Sequence, residues 1–205
     1  MKIQAYQVGD LGTNCYIAWD ETTNHAAVID PGDEGDFLLE NIRKLHLEIR
    51  LILLTHGHFD HTGAVMDLYR ASSAPVYIHP LDRDLVNPFG GALLLPDDVR
   101  FYEEGDEVTL DSMTFHVLHT PGHTPGSVCL MAGDVLFTGD TLFRGSCGRT
   151  DFPGGSWKQM CRSLKRLYEL PGEYTILCGH TGSSRLSYER KTNDFMRCAL
   201  TEITD

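Results

Sequence analysis

Short apolar runs, each closed by polar or Gly/Pro punctuation, open the chain. Cys15 to Ala18 and Ala26 to Ile29 read as strands, the second stopped by Asp30-Pro31-Gly32. From Asp36 to Leu47 the apolar positions Phe37, Leu38, Ile42 and Leu45 fall at helical spacing, and the continuous run Ile49 to Leu54 reads as a central strand covered on both faces. After a polar loop at 55–61, Ala64, Val65, Leu68 and Tyr69 predict a helix, and Pro75 to His79 a further strand. Residues 87–98 combine Gly, Pro, Phe89 and the trio Leu93-Leu94-Leu95, the pattern of a loop or lid over an apolar pocket. Beyond it, runs near 107–110, 113–118, 127–131 and 134–138 predict an antiparallel meander. A helix from Trp157 to Tyr168 with Ser156 as its N-cap, a strand at Tyr174 to Leu177 and short helices complete the pattern. With no internal repeat and no linker, residues 1–205 read as one α/β domain.

Composition narrows the partners. The 205 residues are 41% hydrophobic and 22% charged, enough for a full core and against disorder. A formal net charge of −12 repels a phosphate backbone and an anionic membrane alike, so neither nucleic acid nor membrane is expected as a partner. No run approaches the roughly 20 apolar residues of a membrane span, and MKIQAYQVGD lacks the apolar stretch of a signal peptide; a soluble, cytoplasmic protein is expected. Cys15, Cys129, Cys147, Cys161, Cys178 and Cys198 form no C-x-x-C pair and read as reduced, buried thiols. The 10 histidines are the unusual count.

Their placement carries the chemistry. Thr55-His56-Gly57-His58-Phe59-Asp60-His61 sits at the end of the central strand, and an H-x-H-x-D-H pattern arises by chance about once in a thousand chains of this make-up. His56 and His58, two apart in extended backbone, emerge on one side and can share an ion. Asp60 and His61 turn toward a second position. His123 lies in a Pro/Gly-fixed loop, His119 to Gly126, while Asp140 and His180 each follow an apolar strand. One zinc rarely takes more than four protein ligands, so this many candidates imply two ions. His119 reads instead as a hydrogen-bonded structural histidine, and His25, His46, His79 and His116 as ordinary ones.

These residues in this order resemble the metallo-β-lactamase superfamily in its short, glyoxalase II-like branch, along nearly the whole chain. The resemblance implies a four-layer αββα sandwich with His56, His58 and His123 on a first metal, and Asp60, His61 and His180 on a second. Asp140 would bridge them beside a water or hydroxide, Asp60 and Asp140 would be the catalytic carboxylates, and Asp30 would brace the metal loop from behind. It further implies hydrolysis of an anionic thioester of the S-lactoylglutathione type by two divalent ions, zinc first, with iron or manganese as alternatives. Arg149 resembles a basic glutathione-binding residue. Two departures stand out: Asp151 occupies a place where a tyrosine is expected, and the C-terminal helical glutathione-binding domain is not expected here. The stretch from Gly148 to Phe152 also resembles persulfide dioxygenases, which would hold one Fe(II) on His56, His123 and Asp140; a lactonase is a third alternative. Oligomeric state stays open.

Overall fold

The computed structural model describes residues 1–86 and 93–202. Its first sheet contains six strands in chain order: β1 (Lys2–Val8), β2 (Thr13–Trp19), β3 (His25–Ile29), β4 (Glu48–Leu53), β5 (Val76–Ile78) and β6 (Arg100–Phe101). β1, β2 and β3 are antiparallel, and β3 through β6 run parallel. Crossovers to parallel neighbours require intervening helices, supplied by α1 (Gly35–Lys44) between β3 and β4, and by α2 (Phe59–Thr62) and α3 (Val65–Ser72) between β4 and β5.

The second sheet begins as the expected antiparallel meander, β7 (Glu107–Leu110), β8 (Met113–His119), β9 (Val128–Ala132) and β10 (Val135–Gly139). A small ribbon follows, β11 (Leu142–Phe143) and β12 (Ser146–Cys147), then α4 (Trp157–Glu169). Ser156 caps α4, its hydroxyl accepting from the Gln159 amide. Next, β13 (Thr175–Cys178) returns parallel to β10, and β14 (Ser184–Arg185) pairs antiparallel with it. α5 (Leu186–Thr192) and α6 (Asp194–Glu202) close the described chain.

Alternation along the strands assigns each side chain to a seam. Ala27, Ile29, Leu51 and Leu53 face Phe115, Val117, Leu130 and Phe137 between the sheets. Ala26, Val28, Ile49 and Ile52 point the other way, onto Leu38 and Ile42 of α1 and Leu68 of α3. Leu118, Leu136 and Ile176 of the second sheet meet Met160, Leu164 and Leu167 of α4 and Met196 of α6. Three apolar seams separating helix, sheet, sheet and helix make the expected four-layer sandwich, and β4 is covered on both faces as its unbroken apolar run requires.

Several local expectations shift. The α1 helix stops at Lys44, three residues before the predicted Leu47. The Leu47 amide reaches back to the Ile42 carbonyl and His46 takes a left-handed φ of 56°, which ends the helix and frees the chain for β4. Of the expected lid, Phe89 falls outside the described residues. Leu93 and Leu95 pack against the α1/α3 seam, and Leu94 is exposed. All six cysteines are free; Cys15, Cys129, Cys161 and Cys178 are buried, whereas Cys147 is half-buried and Cys198 exposed. No helix among the described residues is long and apolar enough to cross a membrane.

Candidate metal centre

Strand direction gathers the site. β3, β4 and β5 are mutually parallel, so Asp30, the 55–61 loop and Asp82 emerge at one edge of the first sheet. In the second sheet β8, β10 and β13 share a direction, because β8 and β10 each run antiparallel to β9 and β13 runs parallel to β10. His123, Asp140 and His180 therefore follow strand ends at a common edge. Backbone bonds tie the two edges together: Val128 N donates to Thr55 O at 2.9 Å, and Asn14 N to Gly179 O at 2.7 Å.

Two triads result. The ligand atoms of His56, His58 and His123 lie within 4.8 Å of one another, as do those of Asp60, His61 and His180. Asp140 stands between them, with Oδ2 3.4 Å from His123 Nε2 and 3.5 Å from His180 Nε2, and Oδ1 3.3 Å from His61 Nε2. His56, His58, His61 and His123 are buried, while Asp60 and His180 reach partway to solvent.

The outer ring nitrogens are committed elsewhere, which aims the inner ones. His61 Nδ1 donates to Asp30 Oδ2 at 2.9 Å and His123 Nδ1 to the Arg149 carbonyl at 2.7 Å. His56 Nδ1 donates to Thr55 Oγ1 at 3.1 Å, whose hydroxyl in turn donates to Asp30 Oδ2 at 2.6 Å. Asp30 thus braces both His56 and His61, and its other oxygen accepts the Thr55 amide at 2.7 Å. His58 Nδ1 faces His123 Nε2 at 2.8 Å. Among the described residues His56 Nε2, His61 Nε2 and Asp140 Oδ1 are buried without a well-formed hydrogen bond, the last two facing each other at 3.3 Å as an ion pair. Orphaned buried polar atoms are costly and need an explanation; divalent cations coordinated by imidazole and carboxylate fit all three.

Electrostatics divides the triads when no cation is present. Burial, then the neighbouring imidazoles His61, His123 and His58, push His56 well below its ordinary pKa, and burial with His123 brings His58 down to about 4. Burial opposes charge on His61 too, yet the Asp140 and Asp30 carboxylates outweigh it and hold its pKa well above the usual range. His180, where burial is likewise outweighed by Asp140 and Asp60, rises to about 9. Burial would raise Asp60, but its hydrogen bond to His180 and the His61 charge bring it down to about 2. His56 and His58 offer neutral nitrogens, whereas the other triad holds imidazolium–carboxylate pairs that a cation would replace.

Asp82 and Asn14 carry no signal of this kind in the sequence. Fully buried Asp82 accepts from Gly57 N (2.9 Å), Thr124 Oγ1 (2.6 Å) and Gly126 N (2.7 Å), clamping the His56–His58 loop to the His123 loop. Asn14 Nδ2 donates to the Cys178 and Thr181 carbonyls on either side of His180. For Asp82, its place just after a strand end is the sole hint. Gly179 contributes by its lack of a side chain, since a Cβ there would lie 2.2 Å from Asp140 Oδ1 and 2.5 Å from His61 Cε1. His119 is structural, its Nε2 donating to the Pro125 carbonyl.

The triads open into a cleft of about 320 Å³ whose walls include Leu11, Phe59, Phe143, Phe152 and Arg149. Leu93, Leu94 and Leu95 are not among its lining residues. Arg149, expected to grip substrate, gives Nε and Nη2 to Asp151 at 2.7 and 2.8 Å.

The profile of the Metallo-beta-lactamase superfamily matches residues 8–180. The chain belongs to this superfamily. Among its superfamily relatives, hydroxyacylglutathione hydrolase GloC of Haemophilus influenzae is 36% identical over 210 residues, covering 96% of this chain and 98% of the relative. The crystal structure of TTHA1623 in a di-iron-bound form is 40% identical with a TM-score of 0.81, covering 94% of this chain and 99% of that one. The crystal structure of BLEG-1 B3 metallo-beta-lactamase superposes with a TM-score of 0.87 at 31% identity, covering 95% and 99%. The superfamily and its hydrolase-named relatives support a metal-dependent hydrolase, and the His/Asp clusters supply donors for metal ions.

Proposed function

We propose that this chain is a binuclear metal-dependent hydrolase of small acyl thioesters, with S-lactoylglutathione as the type compound and zinc as the ions. The observation that carries the reading is the pair of triads meeting at Asp140, with three buried polar atoms that lack a well-formed hydrogen bond. Its GloC-like relative supports the thioester, and its di-iron-bound neighbour supports two ions. His56, His58 and His123 would hold one ion, Asp60, His61 and His180 the other, and Asp140 would reach both. Bound divalent ions supply Lewis acidity, making water ionisable near neutral pH and polarising a carbonyl.

The chain's own groups do the rest. Asp60, held by the Thr13 hydroxyl at 3.0 Å, stays ionised and keeps a fixed acceptor at the mouth of the second triad. There it can orient the attacking water. Leu11, Phe59, Phe143 and Phe152 give the cleft an apolar wall against which a bound acyl group would lie. A thiol departs as thiolate without protonation near neutral pH, so a site with no further general acid among the described residues of the cleft wall suits a thioester better than an amide. A cytoplasmic location and a free small-molecule substrate complete the proposal.

Elemental analysis of the purified chain, then rates on S-lactoylglutathione, a β-lactam and a lactone, test it. Two metal equivalents with preferred thioester hydrolysis are expected, and His58→Ala should lower kcat/KM about 100-fold or more. Equal rates for both proteins would discard the assignment. One iron per chain with oxygen uptake on glutathione persulfide would favour the dioxygenase alternative.

A further inference from the structure

Arg149 is the only Lys or Arg among the described residues lining the cleft, and it is already engaged. Its Nε–Nη2 edge, one of the two forked edges by which a guanidinium grips a carboxylate through parallel bonds, is filled by Asp151 at 2.7 and 2.8 Å. The guanidinium carbon lies 3.8 Å above the Phe152 ring, which fixes the plane of the fork. Both partners are more than half exposed, so the pair adds little to stability. Competition for the fork is another matter. A carboxylate two residues away is present at an effective concentration that a free ligand at ordinary levels does not match.

The surroundings agree with a neutralised Arg149. The remaining walls include Leu11, Phe59 and Phe143. A second hollow of about 230 Å³ shares Leu11, Phe59 and Asp60 with the cleft; its described lining includes Asp10 and Asp33 and no Lys or Arg. Outside the imidazoles of the two triads, a ligand carboxylate reaching either space meets apolar surface or another carboxylate.

We propose that Asp151 is a specificity-determining residue: by holding the Nε–Nη2 edge of Arg149 it weakens the cleft's hold on a ligand carboxylate, so that among the small acyl thioesters proposed above the chain favours those whose thiol portion is uncharged and apolar over S-lactoylglutathione. The substrate class rests on the thioesterase reading; the charge logic does not. It narrows the anionic substrate expected from sequence to one whose charge, if any, lies away from Arg149.

The test uses the metal-containing full chain, with Asp151→Asn and the double variant Asp151→Asn/Arg149→Ala, both changes lying on the surface. Steady-state kinetics compare S-lactoylglutathione with S-butyryl-N-acetylcysteamine, and calorimetry follows S-methylglutathione, a thioether that is not hydrolysed. The unaltered chain should prefer the uncharged thioester. D151N should raise the S-lactoylglutathione-to-neutral ratio of kcat/KM about tenfold, through KM, and tighten S-methylglutathione by a similar factor. The double variant should lose both gains, and added salt should shrink them. If no thioester is turned over but D151N still tightens S-methylglutathione, the thioesterase reading falls and the role of Asp151 stands. A preference for S-lactoylglutathione in the unaltered chain, or a D151N variant unchanged in both ratio and affinity, overturns the proposal.

Discussion

Asp30 carries more bonds than its size suggests, accepting from the Thr55 amide, the Thr55 hydroxyl and His61 Nδ1 while almost wholly buried. Asp30→Asn replaces an acceptor-only carboxylate with an amide that must turn a donor toward one of those partners. It should weaken metal retention about 10–100-fold, read by competition with a chelator, and lower stability by roughly 2–3 kcal/mol, read by denaturant titration. The proposed ligands were legible because histidine and aspartate at strand ends are chemically distinctive, and their spacing within residues 56–61 is improbable by chance. Asp82 and Asn14 were not, since each works by binding backbone groups of distant loops, and no local pattern records a long-range partner. For Arg149 the resemblance pointed to substrate, and the fold adds that Asp151 lies on its Nε–Nη2 edge.

At the scale of elements, the buried-strand and meander patterns translated almost directly, because burial on one or two faces writes its period into the residues. The strand β1 did not. It is an edge strand with only Val8 buried, held by backbone pairing to β2 from Lys2↔Trp19 to Val8↔Thr13, and backbone pairing leaves no hydrophobic signature. The Asp82 clamp joins loops from both sheets, and Asp82→Ala leaves Gly57 N, Gly126 N and the Thr124 hydroxyl without this acceptor. A loss of roughly 3 kcal/mol, seen as a fall in Tm of about 6–12 °C, is the expected result in a thermal melt. Nearby, His79 stacks flat on His119 at 4.3 Å, and burial, then His119, lowers its pKa to about 4. Between the unfolded value near 6.5 and about 4 the unfolded chain binds a proton that the native chain refuses, so His79 costs stability as pH falls through that window. His79→Gln removes this loss. The stability gap between variant and unaltered chain should therefore narrow from pH 7 to pH 4, measured by denaturant titration across the range.

At the scale of the molecule, each proposed ion would draw on both sheets. His56 and His58 follow β4 and His123 follows β8 in one triad; Asp60 and His61 follow β4 and His180 follows β13 in the other. Ions bound there would act as cross-links between the two halves of the sandwich, not only as catalysts. Stripping both with a chelator should lower Tm by roughly 16–32 °C for two sites each near a thousandfold saturation. Restoring the metal should restore the melt, and a melt indifferent to chelation would count against either site. The span of the ligands along the chain has a further consequence for biosynthesis. Residue 56 is made long before residue 180, and Asn14 closes its bond to Gly179 only when nearly nine-tenths of the described polypeptide exists. Until then the early histidines can capture a cation only loosely, so the nascent chain would leave the ribosome without its second ion, and loading would fall to the finished protein.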